Sequence, residues 1–157
     1  MNEGDLGVSE TSTEKIMNWK KFFIAFIAAF VFIFIFEWIF HGIVLKETYA
    51  ALPPGLMRPA EEFMKHFFHW LVLGQLVFVF FFTMIFASFA GGGGAGAGAR
   101  YGILVALLGF GANLIQFAVH PLTTRVLGFW GIGGLIELAI AGAIIGAIYK
   151  PSSHTTT

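Results

Sequence analysis

The chain has 157 residues, 57% of them hydrophobic and 11% charged, with twenty phenylalanines and a mean hydropathy of +0.82; a soluble domain of this size could not cover so much apolar side chain with polar surface. Nine basic and nine acidic residues cancel to a formal net charge of zero, so no basic field exists to hold a nucleic acid, and none is expected as a partner. Cysteine is absent, which excludes disulfides, thiolate metal sites and redox-active thiols and leaves imidazole and carboxylate as the strong metal ligands.

Residues 1–21 begin with a polar stretch holding Glu3, Asp5, Glu10 and Glu14, expected to be a disordered acidic tail, followed by a basic juxtamembrane segment with Lys15, Lys20 and Lys21. Residues 22–45 are the first predicted span, long enough at about 1.5 Å per residue to cross a hydrocarbon core of about 30 Å. This run exceeds the apolar core of a signal peptide, and an acidic stretch leads it, so it reads as a retained helix. Residues 46–65 carry Pro53, Pro54, Gly55 and Pro59 among mixed charges and predict an external loop, with a short interfacial helix from Pro59. Residues 66–90 form the second span, in which Gln75 is the strongly polar interior residue.

The run GGGGAGAGA, residues 91–99, should break that helix and act as a flexible connector. Its formal G-x-G-x-x-G match at Gly91, Gly93 and Gly96 has neither a preceding strand nor a following acidic residue, so a dinucleotide fold is not implied. Residues 101–122 form the third span, ended by Pro121, and residues 126–149 the fourth; residues 150–157 are a loose tail. Gly142 and Gly146 make a small-xxx-small pattern suited to close packing inside the bundle. Spans 22–149 therefore make one domain, an all-α integral membrane bundle of four antiparallel transmembrane helices.

An even number of spans puts both termini on one side. Lys15, Lys20 and Lys21 before the first span predict that this side is the cytoplasm. Alternating span direction then brings His41, His66, His69 and His120 to a common depth at the external end, within about 5 Å by helix rise. Glu37 lies one turn below His41 on the same helix face, and Asn113, Gln116 and His120 follow at i, i+3 and i+7. Glu137 lies nearer the midplane. An ionised carboxylate in hydrocarbon costs at least about 2.5 kcal/mol, so Glu37 and Glu137 must face the interior, be protonated or pair. Two site readings follow. One is a transition-metal or haem site of His41, His66, His69 and His120 with Glu37 nearby, since neutral imidazole binds Zn, Cu and Fe. The other is an internal polar network of Glu37, His41, Asn113, Gln116, His120 and Glu137, serving as packing glue or as a proton path.

The stretch HGIVLKETYAALPPGLMR, residues 41–58, resembles a group of small bacterial inner-membrane proteins with four predicted spans and no assigned activity. Its members share a His-Gly at the end of the first span, a leucine step to a tyrosine, then an arginine, here His41, Gly42, Leu45, Tyr49 and Arg58. ARYGILVALL, residues 99–108, is similar to the start of their third span, and a proline such as Pro121 ends it. The resemblance implies a multi-pass inner-membrane location; Glu37, His66 and His69 are not part of it.

No nucleophile constellation is present: Ser88, the serine within a span, sits at the bilayer end opposite the histidines. Catalysis is therefore not the expected function. A non-catalytic accessory or assembly component of a membrane complex, contacting lipid and other subunits or a second copy, ranks first. A metal- or haem-binding protein and a small transporter or proton conductor are the alternatives.

Overall fold

The computed structural model describes residues 15–90 and 93–153, so the acidic stretch 1–14 lies outside the described residues. Four helices among these residues are long and apolar enough to cross a membrane: Trp19–Val44, Ala60–Phe89, Gly94–Val119 and Thr124–Ile148, referred to as the first to fourth spans. The chain is an all-α, four-helix, multi-pass membrane protein. Large apolar side chains such as Leu104, Leu108, Ile115 and Val119 stand exposed along the third span, which only a lipid solvent would tolerate.

Side-chain caps set two helix starts. Asn18 Oδ1 accepts from the Lys21 N–H at 3.1 Å, and Thr123 Oγ1 accepts from the Val126 N–H at 3.3 Å. Pro121 leaves no donor to continue the third span, which ends at Val119 with His120 already extended. The first span closes in a wide π turn over Phe40–Val44, where Leu45 N–H reaches Phe40 O at 2.9 Å. A short helix, Lys46–Ala50, follows, and then a turn in which Leu56 N–H reaches Pro53 O at 3.2 Å. Gly55 takes φ +86 there, as the third position of such a turn demands. The interfacial helix expected after Pro59 runs without a break into the second span.

The expected flexible connector over residues 91–99 is corrected from Gly94 onward, where the third span has already begun. Glycine disfavours helix by about 1 kcal/mol per residue, but here packing overrides that tendency. A Cβ added at Gly98 would lie 1.9 Å from Gly142 O, and one at Gly102 would lie 1.8 Å from Leu138 O. The third and fourth spans thus touch backbone to backbone, and the Gly142 and Gly146 pattern works within the bundle.

The helices lie side by side in the order second, first, fourth, third, with the second and third meeting near the terminal side. There Tyr101 stacks on Phe82 at 4.8 Å between centroids, and its hydroxyl donates to Phe82 O at 2.8 Å. The main core, holding Phe22, Ala25, Ala29, Val79, Phe86, Ala141 and Ile145, sits in this half of the molecule. Both ends of the described chain lie on this side, with Lys15–Ile16 paired antiparallel to Ser152–Ser153. The opposite side, carrying the Lys46–Ala50 helix and the turn before Thr124, is called distal below.

Candidate functional site

Towards the distal side the second and third spans diverge and leave a cavity of about 910 Å³, backed by the first and fourth spans. The first span contributes Glu37, Phe40 and His41, the fourth contributes Trp130, Gly133 and Glu137, and the second contributes Phe78 alone. Gly133 lets the Phe40 ring pack against the fourth span: a Cβ there would lie 2.4 Å from that ring. The third span contributes small residues, Ala106, Gly109, Gly111 and Ala112, alongside larger ones such as Leu108, Phe110 and Asn113.

The polar groups at the back of this cavity form a chain. The i, i+4 spacing sets His41 Nε2 3.4 Å from Glu37 Oε2. Glu37 and Glu137 face each other across the first and fourth spans, and both also line an adjoining cavity of about 310 Å³ with Gln75. On its other side the His41 ring bonds through Nδ1 to the Tyr49 hydroxyl, and Trp130 Nε1 donates to that hydroxyl at 2.7 Å.

The donor inventory assigns the protons. An indole N–H can only donate, so the Tyr49 oxygen accepts from Trp130 and its O–H is free to donate to His41 Nδ1. Neutral His41 then carries its proton on Nε2, aimed at Glu37. Burial pushes the Tyr49 hydroxyl up to about 12, against the opposing effect of the Trp130 hydrogen bond, so it remains a donor at neutral pH. Direction runs from Trp130 through Tyr49 and His41 to Glu37.

Glu137 is the most enclosed member, 6% exposed, and its Oε1 is buried without a hydrogen-bond partner, as is Gln75 Oε1. A buried acceptor without a donor is costly by about 1–3 kcal/mol, and both of these side chains line the smaller cavity.

The remaining sequence candidates divide. Asn113 lines the cavity and is half-buried. Gln116 and His120 are exposed, and His120 Nδ1 lies 3.2 Å from Gln116 O. The helical spacing that would have carried His120 inward stops at Val119, one residue short. His66 and His69 are also exposed; the second span turns Phe68 and Phe80 towards the first span instead, against Phe34 and Phe22. The four histidines are therefore not gathered at one point, and among the described residues no group of three or more His, Asp or Glu is placed to hold a metal ion. Tyr49 and Trp130 are site members that site reasoning from the sequence did not supply. Their signal was available: amphipathic aromatics near a bilayer boundary carry an O–H or N–H that needs a partner.

Arg58 lies apart from the cavity, pairing with Glu62 at 3.2 Å and standing 3.6 Å over the Phe67 ring. Comparison of the chain with protein-family models, with curated proteins and with solved structures finds no match.

Proposed function

We propose that this chain is a small proton-exchanging membrane protein, a carrier in which Glu37 and Glu137 take up and release a proton through His41. One observation carries the reading: carboxyls from the first and last spans face each other at the back of an intramembrane cavity, linked through His41 to a phenol on the distal side. Two facing carboxyls inside the membrane repel each other if both are charged, which suits the pair to holding one proton between them. A proton arriving at His41 Nδ1 is balanced by release of the Nε2 proton to Glu37, and rotation of the ring restores the first tautomer.

The sequence alone ranks an accessory or assembly role first, and the small extramembrane portion remains in keeping with it. That role gives no reason to hold two carboxyls at an intramembrane cavity, where each costs at least about 2.5 kcal/mol if charged. A haem or metal role would require His66, His69 or His120 to join His41, and all three are exposed elsewhere. The reading includes an inner-membrane location with both termini cytoplasmic, supported by the lysines at 15, 20 and 21.

The test is a liposome experiment with a pH-sensitive dye inside and an imposed potassium diffusion potential. Wild-type protein should raise proton flux above that of empty liposomes. Glu37→Gln and Glu137→Gln should each cut the increment by about 100-fold, the lower end of what a positioned proton-transfer group contributes. Wild-type flux equal to that of empty liposomes would overturn the proposal.

A further inference from the structure

The cavity has a size, a sign and an aromatic lining, and together they specify a ligand class. Its volume of about 910 Å³ lies within the range of about 300–1,000 Å³ typical of small-molecule sites. The ionisable groups on its walls are Glu37, His41 and Glu137, with no lysine or arginine among them, so an anion finds no partner and a cation finds two carboxyls. Glu137, 6% exposed, and Glu37, about one-third exposed, both line this space. Around these groups stand the rings of Phe40, Phe78, Phe110 and Trp130, whose π faces attract a positive charge. The open side, between the second and third spans, is edged by exposed Leu108 and Ile115 and faces lipid, which favours entry of an apolar body.

We infer that this cavity binds a hydrophobic organic ammonium ion, an arylalkylamine carrying at least one N–H, in exchange for the proton shared by Glu37 and Glu137. The inference rests on the proton-exchange reading of that pair and names its substrate class. The ammonium N–H donates to the facing carboxyls of Glu37 and Glu137, the aryl group lies among the phenylalanines, and the carboxyl pair releases one proton to the distal side through His41. One cation enters and one proton leaves, so the charge within the cavity is unchanged. A free amine and the headgroup of phosphatidylethanolamine both present the same N–H donor, and the experiment distinguishes them.

The experiment uses the full chain in phosphatidylcholine nanodiscs, titrated calorimetrically with 1-naphthylmethylamine and with the neutral 1-naphthalenemethanol in two buffers of different ionisation enthalpy. The amine should bind saturably with release of about one proton, and the alcohol should not. Glu137→Gln, eluting as a folded species, should bind the amine about tenfold or more weakly, as loss of a charged acceptor implies; Glu47→Gln, on the distal loop, should bind as wild type. Loss of amine binding on adding phosphatidylethanolamine identifies the headgroup as an occupant, and unchanged binding assigns the site to free amines. No saturable amine binding, equal binding of amine and alcohol, or wild-type affinity in Glu137→Gln would each overturn the inference. Proton flux without amine binding would sink it and leave the proton-exchange reading standing, whereas absence of flux would overturn both, since the inference rests on that reading.

Discussion

Gly98→Ala tests the packing on which the cavity depends. The added Cβ would fall 1.9 Å from Gly142 O, 2.7 Å from the Gly142 carbonyl carbon and 3.0 Å from Gly146 N, against an ordinary contact that begins at 3.4 Å. The obstructing atoms are backbone and cannot swing aside as a side chain could, so the third and fourth spans must part by about 1.5 Å at this point. Forcing extra volume into a packed seam costs about 1–3 kcal/mol, and the upper end applies because Gly102 and Gly146 hold the same register. Alanine recovers about 1 kcal/mol of helix propensity, which leaves a net loss of about 2 kcal/mol. Thermal unfolding in detergent micelles, followed by far-ultraviolet circular dichroism, would measure it. Gly96→Ala is the matched control, on the same helix with nothing within 4 Å of the new Cβ, and should be neutral or stabilising. Gly142→Ala, whose Cβ would lie 2.1 Å from Gly98 O, should add less than its own full cost to Gly98→Ala, since one separation relieves both. If Gly98→Ala unfolds no earlier than Gly96→Ala, the backbone contact is not what holds these helices.

Tyr49→Phe removes the shared partner of His41 Nδ1 and Trp130 Nε1 and should lower stability by about 1–3 kcal/mol, read from denaturant unfolding with Trp fluorescence as the probe. In alkali the folded chain holds the Tyr49 proton to about 12, whereas the unfolded chain releases it near 10. The stability this phenol contributes is thus complete below about 10 and disappears as pH rises through about 12, and phenolate absorbance of wild type minus Tyr49→Phe should show a step near 12 that coincides with the loss. Replacing His66, His69 and His120 together by alanine should leave the thermal midpoint within the scatter of surface substitutions, about 0.5 kcal/mol per site, because all three are exposed; a large fall would mean that they are held together after all.

The four spans were legible because lipid leaves the backbone no alternative to a helix over some twenty apolar residues. Glu37 and His41 were legible as a pair for a local reason, since four residues of helix place them on one face whatever the rest of the chain does. What depends on distant packing was not. The glycine run at 91–99 has the composition of a connector, and only the approach of Gly142, over forty residues away, makes its second half helical. His120 fits the helical spacing of Asn113 and Gln116 on paper, but the spacing has no meaning once the backbone turns extended at that residue. Tyr49 reaches His41 because the π turn at Phe40–Val44 and the short helix after it fold the chain back over the cavity, and neither feature leaves a periodic trace.

The glycine seam also bears on why the cavity has one closed end. Backbone contact at Gly98 and Gly102 pins the third span to the fourth on the terminal side, and Tyr101, in the same stretch, bridges to Phe82 of the second span. Beyond Val105 that bridge is gone, and Phe110 packs back against Gly131 instead of across to the second span. The polar chain follows the same asymmetry: it runs from Tyr49 at the distal side to Glu137 and Gln75, beyond which lie apolar Ala141 and Ile145 and a buried Thr83 whose hydroxyl donates to Val79 O. A continuous proton wire would require further exchangeable groups past that point, so on the proton-exchange reading the carboxyl pair opens to the distal side in this conformation. Proton exchange across the bilayer then requires the Tyr101–Phe82 bridge to open, which makes Tyr101→Phe the most informative variant for the carrier reading. Losing the hydroxyl bond to Phe82 O should raise proton leak through wild-type carboxyls and leave Glu137→Gln protein unaffected, and an identical leak in both backgrounds would show that the bridge is not the gate.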